Sequence, residues 1–185
     1  KSNKIVNIQL IDLPGLTSIS LTAKGQDKNI KNIIKEMIGK YIADKNTIIL
    51  GVFKARVDLE VDIALDLIKQ YDINLERCIA ILSKIDLLDS DDEVSNYLTN
   101  NVASDLRMKH GYIALMNKGD EENFFSTHPI YKSYLSSCGI NVLKAKIRDI
   151  IITSCKELLP SIINNINTKL TDTTLKLNKF KDHFD

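Results

Sequence analysis

Charge of one sign is what this 185-residue chain most lacks: 25 Lys and Arg stand against 24 Asp and Glu, a net charge of +1. So even a balance sets up no field that draws nucleic acid or an anionic membrane. Cysteine is scarce as well. Cys78, Cys138 and Cys155 are odd in number and lack metal-ligand spacing. They argue against a disulfide framework and for a reducing compartment, with the thiols buried. No apolar run is long enough to span a bilayer. Lys1-Ser2-Asn3-Lys4 leads into a strand pattern rather than an apolar stretch, so it does not read as a signal peptide. There is no initiating Met, as expected of a fragment, and there are no repeats or low-complexity segments. Of the few histidines, His110 and His128 read as structural and His183 as solvated. Tyrosines and phenylalanines are scattered over core positions and form no stacking platform. Asp89-Ser90-Asp91-Asp92-Glu93 lacks the glycine and spacing of a calcium loop and reads as a helix start.

What is present is a globular α/β pattern, with 44% apolar residues. Residues 5–11 alternate apolar and polar and predict a strand. Asp27 is placed to cap a helix that ends near Ile42. Residues 47–53 are almost continuously apolar, as in a strand buried on both faces. A polar loop follows, then a short helix through Ile63, Leu67 and Tyr71. Residues 78–82 and 112–116 predict further strands, with a helix over 90–106 between them. Helix signals fill the remainder, over 121–137, 141–159 and 161–184. The last carries Ile163, Ile166, Leu170, Thr173, Leu177, Phe180 and Phe184 at alternating spacings of three and four, a helical-bundle seam. Strands alternating with helices predict a parallel sheet with right-handed crossovers.

The predicted strands end in polar residues, and in a parallel sheet those ends share one edge, where ligands bind. The first runs into Asp12-Leu13-Pro14-Gly15. An Asp there can hold Mg²⁺, directly or through water, and a Gly lets a backbone N–H approach a phosphate oxygen. The third ends in Ser83-Lys84-Ile85-Asp86, which matches the guanine-binding [Asn/Thr]-Lys-x-Asp pattern with Ser first. One ionised carboxylate can accept from both guanine N1–H and the exocyclic amine. Adenine carries an acceptor where guanine has N1–H. The Lys84 stem can lie along the base. The fourth ends in Asn117-Lys118-Gly119-Asp120.

Leu10-Ile11-Asp12-Leu13-Pro14-Gly15-Leu16-Thr17 resembles a segment of the dynamin superfamily of large GTPases. Gly25-Gln26-Asp27, Val57-Asp58-Leu59, Ile81-Leu82-Ser83-Lys84-Ile85-Asp86, His110-Gly111-Tyr112-Ile113, Phe124-Phe125-Ser126-Thr127-His128-Pro129 and Leu158-Leu159-Pro160 follow that family's order. The Phe-Phe-x-x-His-Pro segment is specific to it. The resemblance implies a GTPase-type, mostly parallel sheet with flanking helices over residues 1–159. A hinge at Pro160 and a bundle helix would occupy residues 160–185. It assigns Asp12 and Gly15 to the catalytic magnesium and γ-phosphate segment, with Asp12 on Mg²⁺ through water. Ser83, Lys84, Asp86, Asn117 and Lys118 would hold the nucleotide, and Asp58 would reach across a dimer of GTPase domains. The implied ligands are GTP, GDP and Mg²⁺. The implied associations are self-assembly, the cytoskeleton, and membrane lipids through regions outside this chain, with a cytoplasmic, peripherally membrane-bound location.

The chain departs from the pattern in several places. It contains no Gly-x-x-x-x-Gly-Lys-[Ser/Thr] loop and no switch threonine ahead of Asp12, so the residues as given are expected to be inactive. A phosphate-binding loop is expected upstream. Lys118-Gly119-Asp120 replaces the usual Arg-Ser-Gln, and the stretch to Phe124 is short. Leu16 stands where small GTPases carry glutamine. Two other classes stay open: a nucleotide-binding or assembly module without hydrolysis, and an antiviral Mx-like oligomer.

Overall fold

The computed structural model describes residues 9–16, 25, 27–56, 58–88 and 92–181, without the side chains of 92, 93 and 181. It forms two compact units, residues 1–139 and 140–185.

The first unit is built on a parallel sheet of β1 (Ile49–Lys54), β2 (Cys78–Ser83) and β3 (Tyr112–Leu115), in that spatial order. The register pairs Lys54 with Ser83 and Ser83 with Leu115, so all the carboxyl ends meet at one edge. Central β2 is apolar throughout and buried on both faces, Ser83 alone being half-exposed. Helices α1 (Ile30–Ile42), α2 (Ile63–Tyr71), α3 (Asp92–Leu98) and α4 (Glu121–Thr127) belong to this unit. Gly39 allows α1 and α2 to close up: a Cβ there would run into the Tyr71 hydroxyl. Asp62 caps α2 by accepting from Ala64 N–H at 2.7 Å.

Several elements differ from the sequence expectation. Residues 9–16 form no strand, and Leu10 and Ile11 are exposed, Leu10 at 78%; residues 5–8 lie outside the described part. Only Leu16 of this segment packs on the core. Among the described residues β1 pairs with β2 alone, and residues 9–11 join no ladder. β1 itself is not buried on both faces. It alternates, with Ile49, Gly51 and Phe53 inward and Val52 61% exposed, because one face lies on the core and the other is left partly uncovered.

The cap of α1 is Asn29 rather than Asp27, whose carboxylate instead accepts from Asn29 N–H in the preceding turn. Helix α3 stops at Leu98, well short of residue 106. Asn100 enters the left-handed region at φ 55°, and its carboxamide binds the Met108 N–H and carbonyl. Ser90 and Asp91 of its expected start lie outside the described residues. Helix α4 ends at Thr127, because His128 precedes Pro129 and is extended. Short 3₁₀ turns carry the chain on to Ser137.

The second unit is α5 (Ile140–Lys181), one helix of 42 residues with Pro160 inside it. The two helices expected on either side of Pro160 are therefore continuous. Proline removes one backbone donor there and the surrounding bonds carry the helix past it. From residue 155 onward every described side chain is exposed, including Ile163, Ile166, Leu170, Leu177 and Phe180. Cys155 is exposed too, against the expectation of three buried thiols; Cys78 and Cys138 are buried. His183 and Phe184 lie outside the described residues.

Candidate nucleotide-binding site

The Ser83-Lys84-Ile85-Asp86 segment sits where β2 leaves the sheet. Ser83 ties two strand ends together: its hydroxyl donates to the Phe53 carbonyl at 2.8 Å, and its carbonyl accepts from Ala55 N–H at 3.0 Å. Lys84 is left-handed, at φ 59° and ψ 38°, and its carbonyl accepts from Leu87 N–H at 3.1 Å. This reversal starts a 3₁₀ turn over Ile85–Leu87. Ile85 is buried in the core and anchors the turn, while Lys84 and Asp86 on either side stay exposed. A short apolar peg thus holds an ammonium and a carboxylate at the sheet edge.

The neighbouring strand delivers the second loop. β3 passes into buried Met116 and then into exposed Asn117, Lys118 and Gly119, the last at φ 80°. Carboxylates hold both ends of this loop. Asp120 caps α4 by accepting from Asn123 N–H at 3.0 Å, and Glu121 Oε1 accepts from Met116 N–H at 3.0 Å. Behind the loop, Phe124, Phe125, His128 and Tyr131 stack together, His128 on Tyr131 with centroids 4.6 Å apart. His128 belongs to this aromatic cluster, as the sequence suggests. Gly139 N–H donates to the Ala114 carbonyl at 2.9 Å and brings buried Cys138 against β3. Burial, reinforced by the charge of Glu121, pushes the Cys138 thiol up to about 12.

The sheet therefore brings Ser83, Lys84 and Asp86 beside the loop of Asn117 and Lys118. Asp58 lies on the exposed stretch after β1, where its carboxylate accepts from Glu60 N–H at 3.0 Å and opens a 3₁₀ turn. Asp12 and Gly15 are exposed on residues 9–16, which the described sheet does not include. A Cβ on Gly15 would meet nothing within 4 Å. Pro160 lies in the second unit, inside α5. The sequence reading missed Glu121 and Arg77. An acidic residue in the first turn of a helix is the one local sign of Glu121, and it does not reveal a side chain that reaches back.

The residues present fit the implied ligands. Among the described residues no three of His, Cys, Asp and Glu cluster as a metal cage. Mg²⁺ needs no such cage, since it keeps several waters and takes one or two carboxylates with phosphate oxygens. Exposed Asp12 suits that habit. The exposed Asp86 carboxylate, an acceptor only, suits the paired donors of guanine.

A parallel α/β sheet with flanking helices and polar loops at its carboxyl edge is the architecture of a GTPase-type domain. The chain belongs to the dynamin family. A model described as "Dynamin family" matches residues 1–85, and one described as "Dynamin central region" matches residues 93–185. "Vacuolar protein sorting-associated protein 1" of Schizosaccharomyces pombe is 32% identical over 98% of this chain and 28% of its own length. "Dynamin-related protein DNM1" of Saccharomyces cerevisiae is 28% identical over 97% of this chain and 25% of its own length. "Dynamin-2" of Bos taurus is 28% identical over 98% of this chain and 22% of its own length. The chain spans about a quarter of the length of these relatives. No described helix is long and apolar enough to cross a membrane.

Proposed function

We propose that the intact protein binds GTP at this sheet edge and hydrolyses it to GDP and phosphate. The observation that carries the reading is the parallel pairing of β2 and β3, which sets the Ser83–Asp86 turn beside the Asn117–Lys118 loop. In it Asp86 accepts from the two guanine donors, and the Lys84 stem lies along the base. Asn117 and Lys118 close over the base, and Ser83 holds the turn against β1. Asp12 holds Mg²⁺ through a water, and the Gly15 N–H meets the terminal phosphate. Bound Mg²⁺ supplies positive charge to the phosphate oxygens.

The finer reading follows the family. Asp58 reaches a second GTPase domain, Pro160 is a hinge, and α5 is a lever in a helical bundle that passes nucleotide state onward. The protein self-assembles, works in the cytoplasm and remodels a membrane through residues outside this chain. Family membership, the exposed apolar seam of α5 and exposed Asp58 support this.

Exchanging the base-reading carboxylate tests the core of the proposal. Asp86→Asn replaces an acceptor with a donor, and should move preference from GTP to xanthosine triphosphate by roughly 10⁴ in the ratio of affinities. Titrating both nucleotides against the intact protein measures it. An unchanged ratio removes Asp86 from the base site.

A further inference from the structure

The loop carrying Asn117 and Lys118 has no regular structure of its own, so its position depends on its two ends. The far end is an ordinary helix cap, Asp120 on Asn123 N–H. The near end is different. Glu121, the first residue of α4, sends its side chain back across the loop to the N–H of Met116 at 3.0 Å. Met116 is buried, so this N–H finds no ready substitute in water. The second carboxylate oxygen faces the 138–139 segment: a Cβ on Gly139 would lie 3.5 Å from Oε2. That segment is itself fixed to β3 through the Gly139 N–H and the Ala114 carbonyl. One carboxylate thus ties the end of β3 to the start of α4 and lies beside the returning chain. A hydrogen bond to an ionised acceptor is shorter and stronger than one between neutral groups.

We infer that Glu121 is a positioning residue for the nucleotide loop: its bond to Met116 sets where Asn117 and Lys118 stand relative to the Lys84–Asp86 turn. The inference rests on the reading of this edge as a guanine site. Glu121 touches no nucleotide in this account. It acts by keeping the loop in one register, so its loss should hasten nucleotide release while Asp86 goes on choosing the base.

The test is the dissociation rate of a fluorescent GDP from the intact protein. Glu121→Ala should raise that rate about tenfold, the worth of one buried charge-assisted bond. Glu121→Gln keeps an acceptor oxygen at the same reach and should restore most of the retention. Glu121→Asp is one methylene too short and should not, which keeps the test readable if the alanine variant fails to fold. The GTP-to-xanthosine triphosphate preference should be unchanged in all three. Arg77→Lys, at the opposite end of the sheet, controls for general destabilisation and should lower Tm without altering release. Equal release rates in wild type and Glu121→Asp overturn the inference, as does faster release in Arg77→Lys to the same degree. A wild-type protein that does not retain GDP at all takes down the base-site reading and this inference together. One that retains GDP with Glu121 variants indistinguishable takes down the inference alone.

Discussion

The two ends of the sheet use their polar side chains differently. At the amino end they are turned onto backbone. The Arg77 guanidinium donates to the carbonyls of Asp44, Thr47, Ile42 and Tyr71 at 2.8–3.1 Å. Buried Asp72 accepts from the N–H groups of Glu76 and Arg77 at 3.0 and 2.9 Å. These bonds tie the ends of α1 and α2 to the starts of β1 and β2. At the carboxyl end Asp120 and Glu121 also bind backbone N–H groups, with Ile85 under one loop and Met116 under the other, but Lys84, Asp86, Asn117 and Lys118 face solvent. At the amino end the charges are turned onto the fold, and at the carboxyl end part of them stays available for a ligand. A substitution at the amino end should therefore be read in stability, and one at the carboxyl end in binding.

The largest effect on the fold is expected at Arg77. Arg77→Met keeps much of the stem volume and removes the donors. The carbonyls near solvent regain water, while those of Thr47 and Ile42 are part-buried and regain less. A loss of about 2–3 kcal/mol is expected, from leaving part-buried acceptors unpaired. Denaturant unfolding measures it. Nucleotide affinity at temperatures where the variant is folded should match wild type, and a specific drop there would erase the contrast between the two ends.

A smaller effect concerns the thiols. Burial, the leading cause at both sites, raises Cys78 and Cys138 from the usual 9.0 to about 12. The folded state therefore holds these protons more tightly than the unfolded chain. Their contribution to stability is complete below about pH 9 and is lost as pH rises from there toward 12. Unfolding midpoints measured from pH 8 to 10.5 should fall once pH passes 9. Buried, protonated thiols are also poor nucleophiles. A thiol reagent at pH 8 should label exposed Cys155 quickly and the other two only on unfolding. Rapid labelling of Cys138 would show the wall behind the Asn117 loop to be open.

The same contrast explains how much the sequence reveals. β2 announces itself by a continuous apolar run, and the Ser83–Asp86 motif by its place at that strand's end. Both are local signals, and both loops of the candidate site were legible from them. β1 misled because its apolar run describes composition and not coverage: Leu50 and Val52 share a face that stays partly exposed, Val52 at 61%. Asn100 ended α3 through a partner eight residues away. Arg77 reaches carbonyls up to 35 residues distant, and no local pattern marks such a reach. Pro160 looked like a boundary because proline usually breaks a helix, yet α5 loses one donor there and continues.

Gly15 is where the smallest effect on the fold should meet a clear effect on chemistry. Glycine is often kept because a Cβ would clash or because the backbone is left-handed, and neither applies here. A Cβ would find open space, and the backbone is outside the positive-φ region. Within the described residues the chain makes no demand for glycine at this position. Gly15→Ala should therefore leave the unfolding midpoint unchanged or raise it slightly, by up to about 1 kcal/mol, through the lower entropy of the unfolded chain. If the Gly15 N–H meets the terminal phosphate in the intact protein, the added methyl sits where that oxygen must approach. GTP hydrolysis should then fall about a hundredfold, as when one transition-state donor is removed. The base preference set by Asp86 should stay the same. A clear drop in stability would show that the glycine serves packing after all. Unchanged stability with unchanged hydrolysis would move the phosphate contact away from Gly15 and leave Asp12 alone on that segment.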